Sequence, residues 1–481
     1  MKISFRCWVI ISISFAFFSK LYAQDTHYAS QQFGTRTALL SGAILGGIDD
    51  NSMVFYNPGG LGLLENTSLS VNANAYRIEN IKIFNALGDR ADFKSSNLGT
   101  VPLLAGGMIK LKDPKWKLGY GFMAPTDFSF KGIARVDGDY DVIEEAESPG
   151  LEELVGESSL TSKLSEVLFA FGAGRVISEN FSVGASALFT VRSQTYNRNY
   201  SAYIFLNDVE ESLVGGNLSQ NVDYYNIRVA LKLGAIYKME SWSFGATFTT
   251  PSLNIGGQGT VASNIAARNV KFNGVDRQSG VATDRQAELK TKFKSPLQIG
   301  VGVNYDQGKS FLGLSVNYYS GLDSYEIMDV VARTFVRPAD LAPELSSDQF
   351  LSVRGGARSV VNVALGYEYR LKDHLSLLAS VRNDMSYYDK DKTGADNGGI
   401  KTTVSSWDLI HFTAGAIFKR ENSSLSLGLL FSTGTKDDYE QKGNLNNPTE
   451  GSLLKGATTI TEAKYSSIGL LLGYTYFFKK F

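Results

Sequence analysis

The chain is poor in the residues that usually carry chemistry. Its 481 residues include one cysteine, three histidines and ten prolines, and the formal net charge is −1. Cys7 precedes most of the only long apolar run, so it is not placed as a lipoprotein acylation site. If the leader is removed, no disulfide and no thiolate metal site can form. A near-neutral balance gives no electrostatic case for nucleic acid. His27, His374 and His411 are too scattered to suggest an enzyme, and we expect no catalytic residue, no metal and no cofactor. Beyond residue 23 there is no apolar stretch of the length a membrane helix needs.

The leader has its own signature. Lys2 and Arg6 precede the apolar run from Trp8 to Phe18, and Leu21-Tyr22-Ala23 ends on a small residue. This order predicts a signal peptide over residues 1–23, cleaved after Ala23, and therefore export.

Glycine (48), phenylalanine (29) and tyrosine (24) are plentiful, and apolar residues alternate with polar ones. In 423–433, Leu425, Leu427, Leu429 and Phe431 share one face and Ser424, Ser426, Gly428 and Ser432 the other. In 181–192, Phe181, Val183, Ala185, Ala187, Phe189 and Val191 oppose Ser182, Gly184, Ser186, Thr190 and Arg192. Such period-two runs are strands with one dry face. Fourteen are expected, at 68–77, 101–112, 115–124, 165–177, 180–192, 222–238, 240–250, 290–305, 309–320, 357–370, 373–383, 405–419, 421–434 and 465–478. Their connections alternate between long and short. The long ones are 78–100, 125–164, 193–221, 251–289, 321–356, 384–404 and 435–464. This asymmetry belongs to outer-membrane barrels, which have tight periplasmic turns and long outer loops. The expected fold is all-β: a transmembrane antiparallel β-barrel of 14 strands over residues 68–481, with both termini periplasmic. Closure follows because an open sheet edge in lipid leaves backbone groups unpaired. In the last strand Ile468, Leu470, Leu472, Tyr474, Tyr476 and Phe478 share a face, and the chain ends on Phe481. An aromatic last strand of this kind resembles the signal read by the barrel assembly machinery.

Residues 24–67 break the alternation. They are rich in small residues, with a turn signal at Asp49-Asp50-Asn51-Ser52 and a chain reversal at Asn57-Pro58-Gly59-Gly60. A compact segment before a barrel of this width is expected to plug the lumen. The run from Gly34 and Arg36 through D-D-N-S-M-V-F-Y-N-P-G-G-L resembles the N-terminal hatch of the FadL-type outer-membrane transporters of long-chain fatty acids and aromatic hydrocarbons. Those proteins usually have Asn-Pro-Ala where this chain has Asn57-Pro58-Gly59. The resemblance continues through 243–253, 295–305 and the last strand. It implies a hatch carrying Gly34, Arg36, Asp49, Asp50, Asn57, Pro58 and Gly59. It also implies passive transport of hydrophobic small molecules: capture by outer loops, binding in the lumen, hatch movement and lateral exit through a kink in the third strand. The implied surroundings are outer-membrane lipid and lipopolysaccharide, and the implied state a monomer.

Several residues carry two readings each. Gly119, Gly121 and Pro125 in the third strand mark either a lateral opening or barrel curvature, since both residue types weaken strand pairing. Tyr200, Tyr203, Ile204, Phe205 and Leu206, in an expected loop, form either a ligand-capture groove or a self-packed cluster. The glutamate-rich stretch 144–168 is expected to contain a helix with a solvated face. Asp49 and Asp50 read as a turn more readily than as an acid–base pair, and His411 as a polar lumen residue. Asp389, Asp391, Thr393 and Gly394 imitate the start of a calcium loop, but position twelve is Ile400, where a glutamate is required. The competing functions are a general porin, which needs an open lumen, and a structural or adhesive barrel.

Overall fold

The computed structural model describes residues 26–478, apart from 29, 66, 145, 209, 272–276, 338–345 and 394–398. The expected signal peptide with Ala23, Gly394 of the calcium-like loop, and Phe481 lie outside the described residues. The strands are β1 (Ser68–Ile83), β2 (Phe93–Lys110), β3 (Trp116–Tyr140), β4 (Glu152–Ser178), β5 (Phe181–Phe205), β6 (Leu213–Met239), β7 (Trp242–Thr249), β8 (Leu253–Val270), β9 (Gln278–Lys290), β10 (Gln298–Asp306), β11 (Ser310–Tyr319), β12 (Leu322–Glu326), β13 (Val336–Arg337), β14 (Arg354–Ala357), β15 (Val360–Lys372), β16 (Leu375–Asp384), β17 (Leu409–Arg420), β18 (Ser423–Glu440) and β19 (Ile460–Phe477). Fourteen of them, β1–β7, β10, β11 and β15–β19, run antiparallel around a closed barrel. β19 returns to pair with β1, with Ser68 opposite Phe477. Closure gives each of these fourteen a partner on both sides, which a wall in lipid requires.

Near the short turns the alternation behaves as expected. Leu425, Leu427, Leu429 and Phe431 are exposed on the outer face of β18, while Ser426 and Ser432 are buried on its inner face. The short connections that join neighbouring barrel strands, such as 179–180 between β4 and β5 and 421–422 between β17 and β18, lie at this end.

The long-loop end differs from expectation. β3 to β6 run for 25, 27, 25 and 27 residues, against 8 to 10 in β7, β10 and β11. Most of the expected loops 125–164 and 193–221 are therefore strand, and the connections shrink to 141–151 and 206–212. The expected helix in 144–168 is also strand from Glu152 onward. Leu160 and Leu164 are four residues apart, a spacing that one helix face and one strand face share. Their pairing, Leu160 opposite Gly132 and Arg198, and Leu164 opposite Phe128 and Gln194, makes them wall residues. The expected loop 251–289 is a hairpin, β8–β9. β8 continues the line of β7 along β6 after a break at Pro251.

Among the described residues the interior holds two apolar cores. One joins Phe33, Leu39, Leu40, Ile44, Leu45, Met53, Val54 and Leu61 of the N-terminal segment to wall residues such as Leu104, Met123, Phe311 and Ile417. The other forms a roof at the loop end from Phe128, Phe130, Leu160, Leu164, Tyr196, Tyr200, Tyr224, Trp407, Leu445 and Leu453.

Candidate functional site

The N-terminal segment lies in the lumen and is held by backbone contact. Inward-facing glycines on successive strands let it approach the wall closely. A Cβ on Gly245 would lie 1.7 Å from the Leu45 carbonyl oxygen, one on Gly313 1.9 Å from that of Ala43, and one on Gly184 2.2 Å from that of Pro58. Gly245 pairs with Gly302, Gly184 with Gly174 and Gly234, and Gly313 with Gly366, so the glycines form a belt in register. Wall side chains then satisfy the segment's free backbone groups, as burial demands. Ser315 Oγ accepts from Leu45 N at 3.1 Å, Ser380 Oγ donates to Leu39 O at 2.9 Å, and Ser182 Oγ donates to Gly59 O at 2.7 Å.

The motif residues build the turns of this segment. Asp50 accepts from the N–H groups of Arg36 (2.8 Å), Thr37 (3.2 Å) and Ser52 (2.9 Å). Gly34 adopts φ 93°, and any side chain there would meet the Asp50 carboxylate. Asp49 is exposed, whereas Asp50 is buried and closes the local turn through the N–H of Ser52. Asn57 caps the short helix Pro58–Leu63 by accepting from Gly59 N at 3.1 Å, while its amide donates to Leu45 O and to Ala235 O of the wall. Gly59 has no Cβ to press on Gly234 O, which would stand 3.0 Å away. Arg36 reaches Glu368 at 2.6 Å and lies over the Phe311 ring.

Between the two cores lies a cavity of about 130 Å³. Its walls combine Phe55, Leu168, Leu188, Phe293 and Tyr319 with a charged cluster. Glu166 accepts from Arg192 at 3.0 Å and Arg228 at 2.7 Å. Both guanidinium groups lie over the Phe293 ring, at 3.8 and 5.0 Å from its centroid. Two smaller cavities, each about 50 Å³, adjoin it, and Tyr28 lines all three. Tyr28 stacks between Tyr319 and Tyr387, at 4.5 and 4.4 Å.

The wall breaks beside this cavity. β2 and β3 pair only from Lys110/Lys117 to Leu104/Met123. β3 slips a register against β4 between Met123 and Thr126, and β1 slips against β2 at Ala73 and again between Asn74 and Arg77. From Met123 to Phe130 the alternation is lost and eight consecutive residues are buried. Pro125 has no N–H to lose at the break. Its carbonyl accepts from Ser30 Oγ at 3.2 Å, and Arg77 donates to both the carbonyl and the carboxylate of Asp127. Above the break, side chains rejoin the strands: Asn97 Nδ2 donates to Ser129 O at 2.7 Å, and Ser95 Oγ accepts from Lys131 N at 3.0 Å.

The structure separates some of the expected groupings. Pro125 lies at the break, but Gly119 and Gly121 lie below it, still paired with Met108 and Gly106. There they make room for Leu61 and Val54 of the N-terminal segment. The five residues of the expected capture loop do not form one surface, because Tyr200 to Phe205 belong to β5 and alternate. Tyr200, Ile204 and Leu206 point into the roof, whereas Tyr203 and Phe205 face outward. His411 is a buried lumen residue, with Nδ1 2.7 Å from Ser432 Oγ and Nε2 3.8 Å from Asp384. In the calcium-like loop, Lys392 lies 3.9 Å from Asp389, and Lys390–Thr393 form a helical turn. Sequence reasoning missed Glu166, Arg228, Phe293 and Tyr28. An inward glutamate and arginine on apolar-alternating strands were the available signal for the first two.

A closed fourteen-stranded barrel with an apolar outer face, its lumen filled by its own N-terminal segment, has the fold of the FadL-type outer-membrane barrels. Among solved structures the chain resembles a Pseudomonas aeruginosa FadL homologue (12% identity, 94% of this chain and 100% of that one, TM-score 0.60). It also resembles the toluene transporters TodX of P. putida (11%, 94% and 100%, 0.54) and TbuX of Ralstonia pickettii (12%, 93% and 99%, 0.54). No protein-family model and no curated protein matches the chain.

Proposed function

We propose that the chain is a FadL-type transporter that carries hydrophobic small molecules, long-chain fatty acids or similar, passively across the outer membrane. In this reading the leader is cleaved after Ala23, both termini are periplasmic and the protein works as a monomer. Ligand enters at the loop end, binds in the lumen, and leaves sideways when residues 24–67 move as a hatch. The observation that carries the proposal is continuity: one cavity is lined by Tyr28 and Phe55 of the N-terminal segment and also by Pro125 and Thr126 at the wall break. A side exit keeps an apolar solute out of water, whose exclusion is the main driving force for such molecules.

Size supports hatch movement. A dry cavity of ~150 Å³ holds one benzene ring, so about 130 Å³ is no larger than a single ring and is too small for a long acyl chain. Displacing Tyr28 would join the three cavities. The charged cluster adds a preference: two guanidinium groups share one carboxylate, which leaves positive charge for an acidic head, with Leu168, Leu188 and Phe293 beside it for the tail.

Liposomes carrying the purified barrel are expected to take up oleate and toluene faster than empty ones, and uptake equal to that of empty liposomes rejects the proposal. Arg192→Ala should slow oleate more than toluene. High ion conductance in the intact protein would favour a general porin, whereas conductance that rises only after deletion of residues 24–64 supports the hatch.

A further inference from the structure

Around β19, β1 and β2 the outer face is layered in a way that barrel formation alone does not require. Ile78 stands directly opposite Ile468 on one side and Leu98 on the other. All three are exposed, Leu98 to 70%. Two positions nearer the loop end, Asn80 stands opposite Ser466 and Ser96. Two positions further, Lys82 stands opposite Lys464 and Lys94. Lys131 follows on β3, joined to β2 through Ser95. An apolar row, a polar row and a cationic row thus lie over one another, about 7 Å apart at the rise of a strand.

The lysine row is electrostatically costly by itself, because like charges directly opposite on adjacent strands repel. Asp92 lies 2.9 Å from Lys82 and 3.8 Å from Lys94, and Glu462 lies 2.7 Å from Lys464. Two carboxylates therefore face three ammonium groups. The Phe84 ring lies 3.7 Å from Lys82 Nζ and 5.1 Å from Lys464 Nζ, which fixes two of the cations in place.

We propose that this face of β19, β1 and β2 binds the phosphorylated glycolipid of the outer leaflet. Its phosphates lie on Lys82, Lys94 and Lys464, its sugar on the Ser466–Asn80–Ser96 row, and its acyl chains on Ile468, Ile78 and Leu98. The order of the rows matches the order of groups in such a lipid, and the excess charge is of the sign that phosphates neutralise. The bound lipid borders the break between β2 and β3. The proposal rests on the loop end facing outward, as in the proposed function, and is independent of transport.

Lipid retention by the full-length barrel in non-ionic detergent, read by native mass spectrometry with core-truncated lipopolysaccharide and with phosphatidylglycerol, tests it. The wild type should retain the lipopolysaccharide and prefer it to phosphatidylglycerol. Each lysine changed to serine should weaken retention about fivefold, and the triple variant K82S/K94S/K464S about a hundredfold, while K82R/K94R/K464R retains it. Should the triple serine variant fail to fold, Lys94→Ser carries the test alone, since that side chain is 72% exposed. Unchanged retention in the serine variants overturns the proposal. So does equal retention of both lipids by the wild type, or a change in oligomeric state without loss of lipid, which would assign the face to a second copy. Lost uptake with retention intact rejects only the transporter reading, and the converse rejects only the lipid site.

Discussion

The same strands carry opposite polarity at their two ends. On β5 below Arg192, Phe181, Val183, Phe189 and Val191 face out, and Ser182, Ser186 and Thr190 face in. Above it, Tyr196, Tyr200, Ala202 and Ile204 face in, and Thr195, Asn197 and Asn199 face out. β4 and β6 repeat the switch, with Leu154, Leu160, Val222 and Tyr224 inward at the loop end. What changes is the surroundings. Near the turns the outside is lipid and the inside holds a polar-lined lumen, as in membrane barrels. At the loop end the outside is water, so the apolar residues turn in and form an ordinary core. Glu166, Arg192 and Arg228 stand at the level where the two regimes meet.

That junction predicts the largest effect. Glu166 is the carboxylate shared by two buried guanidinium groups, and its removal leaves both without a counter-charge. Glu166→Ala should lower the stability of the refolded barrel by about 3–5 kcal/mol, read as a shift of the urea midpoint in micelles. Glu166→Gln, which can still accept a hydrogen bond, should lose less. An unchanged midpoint in the alanine variant would show that the two regions hold together without this cluster.

The polarity switch also explains what was legible in the sequence. Strand centres and short turns were readable because one phase of alternation runs unbroken near the turns. The strand extensions were not, because a reader following that phase loses it where apolar residues change face, as between Val191 and Tyr196. Glu166 stands where the expected strand 165–177 overlaps the stretch 144–168 expected to contain a helix, and Leu160 and Leu164 before it fit both periods. The Asp50 and Asn57 turns followed from local chemistry and a short motif. The glycine belt needed strand register, which composition does not contain: Gly119 and Gly121 looked like strand breakers and in fact make room for Leu61 and Val54.

A middle-sized effect should be confined to the lower region. In Gly245→Ala, a methyl group directed at the Leu45 carbonyl must push the N-terminal segment from the wall, overpacking that should cost about 1–3 kcal/mol. The expected readout is raised ion conductance and faster proteolysis within residues 26–64, with the roof unaffected. If protease instead cuts 441–459 faster, the two cores are more tightly coupled than their separate packing implies.

The smallest effect should belong to the roof. Tyr200 is buried under the loop joining β18 to β19, and its hydroxyl donates to Leu453 O at 3.1 Å. Tyr200→Phe keeps the ring and removes that one bond, leaving the Leu453 carbonyl in need of a donor. A net loss of about 1 kcal/mol is expected, seen as roughly fivefold faster amide exchange confined to 441–459. Conductance and N-terminal proteolysis should stay at wild-type values, because the Tyr200 hydroxyl touches the roof and not the N-terminal segment. A rise in conductance would mean that the roof, and not the N-terminal segment alone, closes the lumen, and the division of labour between the two ends of the strands would have to be redrawn.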